Sequence, residues 1–188
     1  MIQILGPKEQ RNCRAINTTT TAKGWSKELS PFILGPCFLY DNLTSKTMEN
    51  GWQYAKVYPE FTKNNEPTKD YYQWARVGWS SEYACRYPMG RGRKPLYSIW
   101  KGEKLAYIDA RKKIYIPLYA KAVMKTAAFN TLTDMYERNE DIVLWDIDGY
   151  DHNILNMTLD DVVNCETKTM GHAFVLAMCL DGSVQNYL

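Results

Sequence analysis

Two short stretches carry residue types that could do chemistry together. In "TMENGWQYAKVY", residues 47–58, Glu49, Gln53 and Lys56 recur at i, i+4 and i+7. On a helix that spacing sets an acid, an amide and a cation in one stripe. Met48, Trp52 and Ala55 repeat the same spacing as an apolar stripe about 100° around, so the polar trio borders the buried face. The plainer account is a boundary stripe, with Glu49 favoured near the helix start by the backbone dipole. In "IVLWDIDGYDH", residues 142–152, an apolar run ends in Asp146 and Asp148, with Asp151 and His152 close behind. Carboxylates at a strand end suit nucleophilic or acid–base work, while an Asp in a turn also caps backbone N–H groups. Three acids in six residues beside a histidine make at least one pocket-facing carboxylate the expectation.

Two specific readings of that second stretch fail. Its order resembles the first motif of haloacid-dehalogenase-type phosphatases, where one Asp is nucleophile and the next general acid. That fold needs this strand early, with further strands and motifs after it. Here only residues 149–188 follow Asp148, and Tyr150 takes the place of the expected threonine. An EF-hand loop is unmatched too: Gly149 comes too early, and Leu155 stands where the bidentate Glu belongs.

Around these stretches the pattern predicts an α+β fold, mostly α, in one domain spanning 1–188. "MIQIL" and "DIVLW" read as short strands, "NTTTTAKG" as a polar loop, and "SPFILGPCFLYDN" as extended chain punctuated by Pro and Gly. A helix is predicted over about 46–58, capped by Ser45 or Thr47, and another from about 67 with Tyr71, Trp74 and Ala75 on its apolar face. "RYPMGRGRKPLYSIW" is a basic, broken loop. The run from Glu103 to Glu140 reads as helical on both sides of Pro117, which ends, starts or kinks a helix there. Thr158 and Asp161 form a capping-box pattern, and "GHAFVLAMCL" reads as a buried helix.

Bulk properties narrow the function classes only a little. The 188 residues include 14 Tyr and 6 Trp, which serve a core as readily as a stacking site. A formal charge of +2 argues against a non-specific nucleic-acid coat, leaving local patches to be judged separately. No signal-peptide pattern or membrane-length apolar run is present, and the five cysteines at 13, 37, 85, 165 and 179 show no paired spacing. Reduced thiols in a cytoplasmic protein are the expectation, with no cofactor, no metal and no membrane partner.

The run "LSPFILGPCFLYDN" followed by "TMENGWQYAKVY" resembles the opening of the NADAR family, the YbiA-like N-glycosidases. Leu29, Ser30 and Phe32 match its first block; Met48, Glu49, Asn50, Gln53 and Lys56 match its helix. Gly90, Arg91, Arg93 and Trp100 lie on the family's middle segment, and Asp146 or Asp148 with Gly171 on its last, so the likeness covers about residues 29–180. Ile99 stands where the family usually has an Asp, which marks a divergent member.

That resemblance implies hydrolysis of an N-glycosidic bond to ribose, as in an ADP-ribosylated guanine or a ribosylated nucleotide, with DNA or RNA as possible carriers. It implies Glu49 near the ribose as stabiliser or as base for water, with Asp146 or Asp148 as the second carboxylate. Trp100 would stack on base or ribose. Arg91, Arg93 and Lys56 would hold phosphate, with Gly90 and Gly92 letting backbone approach, and Gln53 would orient a hydroxyl. Asp151 and His152 are counted as substrate contacts, although His152, like His172, also has a structural reading. Reversal of a toxin's modification in a phage or bacterium would give such a chain its purpose. The alternative is a non-catalytic binder of ADP-ribose or nucleic acid in which Glu49 is structural.

Overall fold

A computed structural model describes residues 2–9 and 15–188; Cys13 lies outside them. The fold is α+β and mostly helical. Strands β1 (Ile2–Leu5) and β2 (Ile16–Asn17) come first, and β3 (Cys37–Phe38) and β4 (Thr44–Ser45) form a hairpin that leads into α1 (Met48–Gln53). After β5 (Lys56–Val57), the hairpin of β6 (Thr62–Lys63) and β7 (Glu66–Pro67) precedes α2 (Lys69–Ser80). The hairpin of β8 (Tyr97–Trp100) and β9 (Glu103–Leu105) then opens a helical stretch containing α3 (Tyr107–Ala110) and α4 (Ile116–Val123). Helix α5 (Ala127–Glu137), strand β10 (Ile142–Trp145), and helices α6 (Leu159–Asn164) and α7 (His172–Asp181) complete the order.

The organising sheet is small and parallel. Strand β10 lies between β1 and β2, with Leu5 opposite Trp145 and Ile16 opposite Leu144. Its two faces separate by side-chain alternation. Ile4, Ile142 and Leu144 enter the main core with Phe174 and Leu176 of α7, whereas Leu5, Val143 and Trp145 form a second cluster against Ala15. Such double-sided burial is why residues 142–145 are uniformly apolar. The sheet therefore aims the chain leaving Leu5, Asn17 and Trp145 toward one edge, the carboxyl end.

Local chemistry explains where the elements stop. Helix α1 covers 48–53 and not the expected 46–58. Thr47 caps it, accepting from the Asn50 N–H at 3.2 Å, while Ser45 belongs to β4. Pro59 pushes Tyr58 into extended backbone, and β-branched Val57 pairs with Tyr97 of β8, so the chain leaves helix before Lys56. The 103–140 run is likewise interrupted. Glu103–Leu105 is strand, and Thr126 recaps the chain by accepting from Phe129 N–H at 3.1 Å. Of the outcomes expected at Pro117, the proline stands in the first turn of α4 rather than ending a helix. The turn before it widens at Arg111–Tyr115, with Ile116 N–H donating five residues back to the Arg111 carbonyl. That wider turn relieves the crowding a proline ring imposes on the carbonyl four residues earlier. Thr158 and Asp161 form the expected reciprocal cap of α6. Among the described residues, no helix is long and apolar enough to cross a membrane.

Candidate active site

A cavity of about 450 Å³ opens where the parallel sheet's carboxyl edge meets α1, a volume ordinary for a small-molecule site. Asp146 takes the first position after β10 and is buried. Its N–H donates to the Leu5 carbonyl at 3.0 Å. One carboxylate oxygen accepts from the N–H of Ala173 at 3.2 Å and lies 3.1 Å from His172 Nδ1; the other accepts from Asp148 N–H at 3.3 Å. Asp146 thus caps α7, where a helix favours negative charge. Gly171 is required by this closeness, since a Cβ there would come within 2.0 Å of the carboxylate.

His172 is the partner that fixes this corner. Its Nε2 lies 2.9 Å from the Thr18 carbonyl, and its Nδ1 faces Asp146. Each ring nitrogen therefore faces an oxygen acceptor, and the ring bridges Asp146 and the β2 end in a buried corner.

Helix α1 supplies the opposite wall. Glu49 is only 5% exposed, and Gln53 Nε2 donates to its Oε1 at 2.8 Å. Lys56 Nζ donates to Gln53 Oε1 at 2.7 Å and lies 4.6 Å from the centre of the Trp52 ring. The stripe predicted as helical is continuous although Lys56 sits on β5, because the chain turns just enough to keep it beside Gln53. Burial raises the Glu49 carboxyl above the ordinary range, against the lowering effects of Gln53, Lys56, Arg86 and His172. Burial also lowers Lys56 to about 8; Arg86 adds to this, while Glu49 and Asp148 oppose it.

The second pocket carboxylate is Asp148, which accepts from Arg86 Nη2 at 2.5 Å. Burial raises Asp148, with Asp146 adding and Arg86 opposing. Arg86 is held by the residue behind Glu49: Asn50 Nδ2 donates to the carbonyls of Ser81 and Tyr83, and its Oδ1 accepts from Cys85 N–H at 2.8 Å. One helix turn therefore aims Glu49 into the pocket and ties down the loop carrying Arg86.

The remaining wall comes from Tyr107, Arg111 and Tyr115, spaced i, i+4, i+8 along the helical stretch. Burial pushes the Tyr115 hydroxyl well above its ordinary value. The Arg111 guanidinium is 1% exposed and pairs with no carboxylate among the described residues. It donates instead to the carbonyls of Val162, Val163, Cys165 and Lys168 and to the Tyr107 hydroxyl. These carbonyls lie at and just beyond the C-terminus of α6, where the helix dipole welcomes a cation. Arg111 so fixes the segment that brings Thr169 and Met170 to the pocket rim.

Of the residues singled out in the sequence, Glu49, Gln53, Lys56, Asp146 and Asp148 share this cavity. Six do not line it. Gly90, Arg91 and Arg93 follow a turn closed by Gly90 N–H on the Tyr87 carbonyl; Arg91 is exposed and Arg93 pairs with Glu60. Positive φ at Gly90 and Gly92 curls this loop without bringing it to the pocket. Trp100 packs edge-on against Tyr40 and lines a different groove. Asp151 is buried, taking Gln3 Nε2 at 2.5 Å and capping Asn153 N–H, and His152 packs edge-on against Phe174. Arg86, Arg111, Tyr115 and His172 were not singled out as pocket residues. A signal existed for Arg111, a cation in a helical row with Tyr107, Tyr115 and Leu118. Nothing in "CRYPMGRGRKP" separates Arg86 from its neighbours.

No family model, curated protein or solved structure matches this chain.

Proposed function

We propose that this pocket hydrolyses an N-glycosidic bond to a phosphorylated ribose, with ADP-ribose on a guanine-type base as the substrate, in the manner of the NADAR family. The observation that carries the reading is the gathering of two carboxylates, Glu49 and Asp148, with two cations, Lys56 and Arg86, in one cavity. Cleavage of such a bond leaves positive charge on the ribose and negative charge on the departing nitrogen. Carboxylates suit the first, and donors suit the second and the phosphates.

The division of labour follows from the contacts. Asp146 is committed to α7 and His172, so Asp148 is the second working carboxylate. Glu49 stabilises the ribosyl cation and takes a proton from the attacking water as the new C–O bond forms. The electrons of the breaking C–N bond go to the base, which takes up a proton from solvent while Glu49 returns the one it accepted, so that one water is consumed per bond cleaved. Among the described residues no hydrogen bond engages Glu49 Oε2, which leaves that oxygen for water or ribose. Arg86 rests on Asp148 and is the donor a phosphate would capture. Lys56 adds a second positive group, and no cofactor or metal enters the scheme.

Release of ADP-ribose from a guanine-ADP-ribosylated oligonucleotide tests the reading, with Glu49→Gln alongside. Turnover by the wild type and its loss in the variant, with binding retained, would support it. The relay from Lys56 through Gln53 to Glu49 also suits a structural role, and hence a binder. Equal ADP-ribose affinity in both proteins without release by either would favour that second reading.

A further inference from the structure

A second surface, sharing no residue with the Glu49 pocket, is organised differently. Two neighbouring hollows of about 820 and 610 Å³ share Phe38, Leu39, Lys101, Leu118 and Lys121, and so form one continuous groove. Along one side stand Lys113 in the wide turn, Pro117 and Lys121 one turn apart on α4, and Lys125 in the turn just beyond its end. From Lys113 to Lys121 that ridge is roughly 12 Å long. Lys101, at the tip of the β8–β9 hairpin, and Lys112 add to it. Among the described residues, only Lys113 of these five lysines has an ion pair, to Glu103 at 2.6 Å.

The acids lining the groove are otherwise engaged. Glu28 accepts from Ala128 N–H at 2.9 Å, capping α5, and Asp160 accepts from the Tyr187 hydroxyl at 2.6 Å. At the point common to both hollows stands Phe38, 65% exposed. Trp100 lies in the same groove, half-buried. An aromatic ring left in water between unpaired lysines has no use in the core, but it is the pairing that a strand of unstacked bases recognises: cations along the phosphates, a flat face for a base.

We infer that this groove binds single-stranded nucleic acid, with Phe38 as the stacking platform and Lys101, Lys121 and Lys125 on the phosphates. The inference uses no residue of the Glu49 pocket, and its assay requires no bond to be cleaved. A duplex hides its base faces, and an acidic peptide offers charge without them, so both serve as contrasts.

Fluorescence anisotropy on the full chain would use labelled oligo(dT), oligo(U), a duplex of the same length and an oligoglutamate peptide. The single strands should bind with affinity that falls steeply with salt. Phe38→Ala should weaken binding about 5- to 150-fold without changing the salt dependence. The double variant Lys121→Glu, Lys125→Glu should weaken it at least about tenfold and flatten the salt dependence. All three side chains are exposed, and an unchanged melting curve would verify the fold. Binding of the duplex or the peptide as tightly as the single strands, an unchanged affinity in Phe38→Ala, or no binding at all would overturn the inference.

Discussion

Lys56 offers a test of the pocket's electrostatics that needs no substrate. Its ammonium titrates near 8 in the folded protein because burial penalises the charge, against an ordinary value of 10.5. In the unfolded chain it returns to about 10.4. Below pH 8 both states hold the proton and the folded state bears the full penalty. Between about 8 and 10.5 the unfolded state binds more protons than the native one, so stability rises with pH through that window. The span corresponds to about 3 kcal/mol, nearer 2 once solvent screening of a half-buried side chain is allowed for. Lys56→Met lacks this titration. Urea midpoints of the two proteins, taken from pH 7 to pH 10, should show the variant's stability advancing relative to wild type at low pH and losing that relative gain by about 2 kcal/mol toward pH 10. Groups common to both proteins cancel in the difference. A difference that stays constant from pH 7 to pH 10 would refute the picture of a desolvated ammonium beside Gln53.

Other consequences follow from the same contacts. If Glu49 is the base, turnover falls with acid at a pH above the ordinary carboxylate range, because burial raises its carboxyl; Glu49→Gln should lower kcat about 10²–10⁴-fold and abolish that limb in a pH–rate profile. Asp146→Ala strands the His172 ring and the Ala173 N–H in a buried corner and should cost about 1–3 kcal/mol in urea unfolding. A double-mutant cycle with His172→Phe should return a coupling well above 0.5 kcal/mol, of the kind seen for residues in contact. Arg86→Ala removes the donor held by Asp148 and should weaken ADP-ribose binding by calorimetry about 10- to 150-fold, the worth of one charged hydrogen bond.

Much of this molecule can be read locally. An unbroken apolar run of helical length marks the buried α7, the apolar run at 142–145 marks a strand buried on both faces, and Thr158 with Asp161 marks the start of α6. The alternation of Glu49, Gln53 and Lys56 along the chain is enough to make them neighbours, because residues three and four apart meet on a helix and the chain leaves α1 only after Gln53. Propensity failed where a distant partner decided the outcome. Val57 becomes strand because Tyr97 is there to pair with it, and Glu103–Leu105 because β8 is.

Only the tertiary structure decided which charged residues belong together. β1 and β10 are separated by most of the chain, yet their parallel register sets Asp146 on the Leu5 carbonyl and opens the sheet edge toward α1. Asp146, Asp148 and Asp151 look equivalent in sequence, but α7 claims the first, Arg86 the second and Gln3 the third. Arg86, rather than Arg91 or Arg93, reaches the pocket because Asn50 ties down residues 81–85 and the turn at Tyr87–Gly90 carries the rest away. A sequence fixes spacing along the chain, and hence what one helix or strand presents on a face. Which carboxylate meets which cation depends on register between segments a hundred residues apart, which no local pattern encodes.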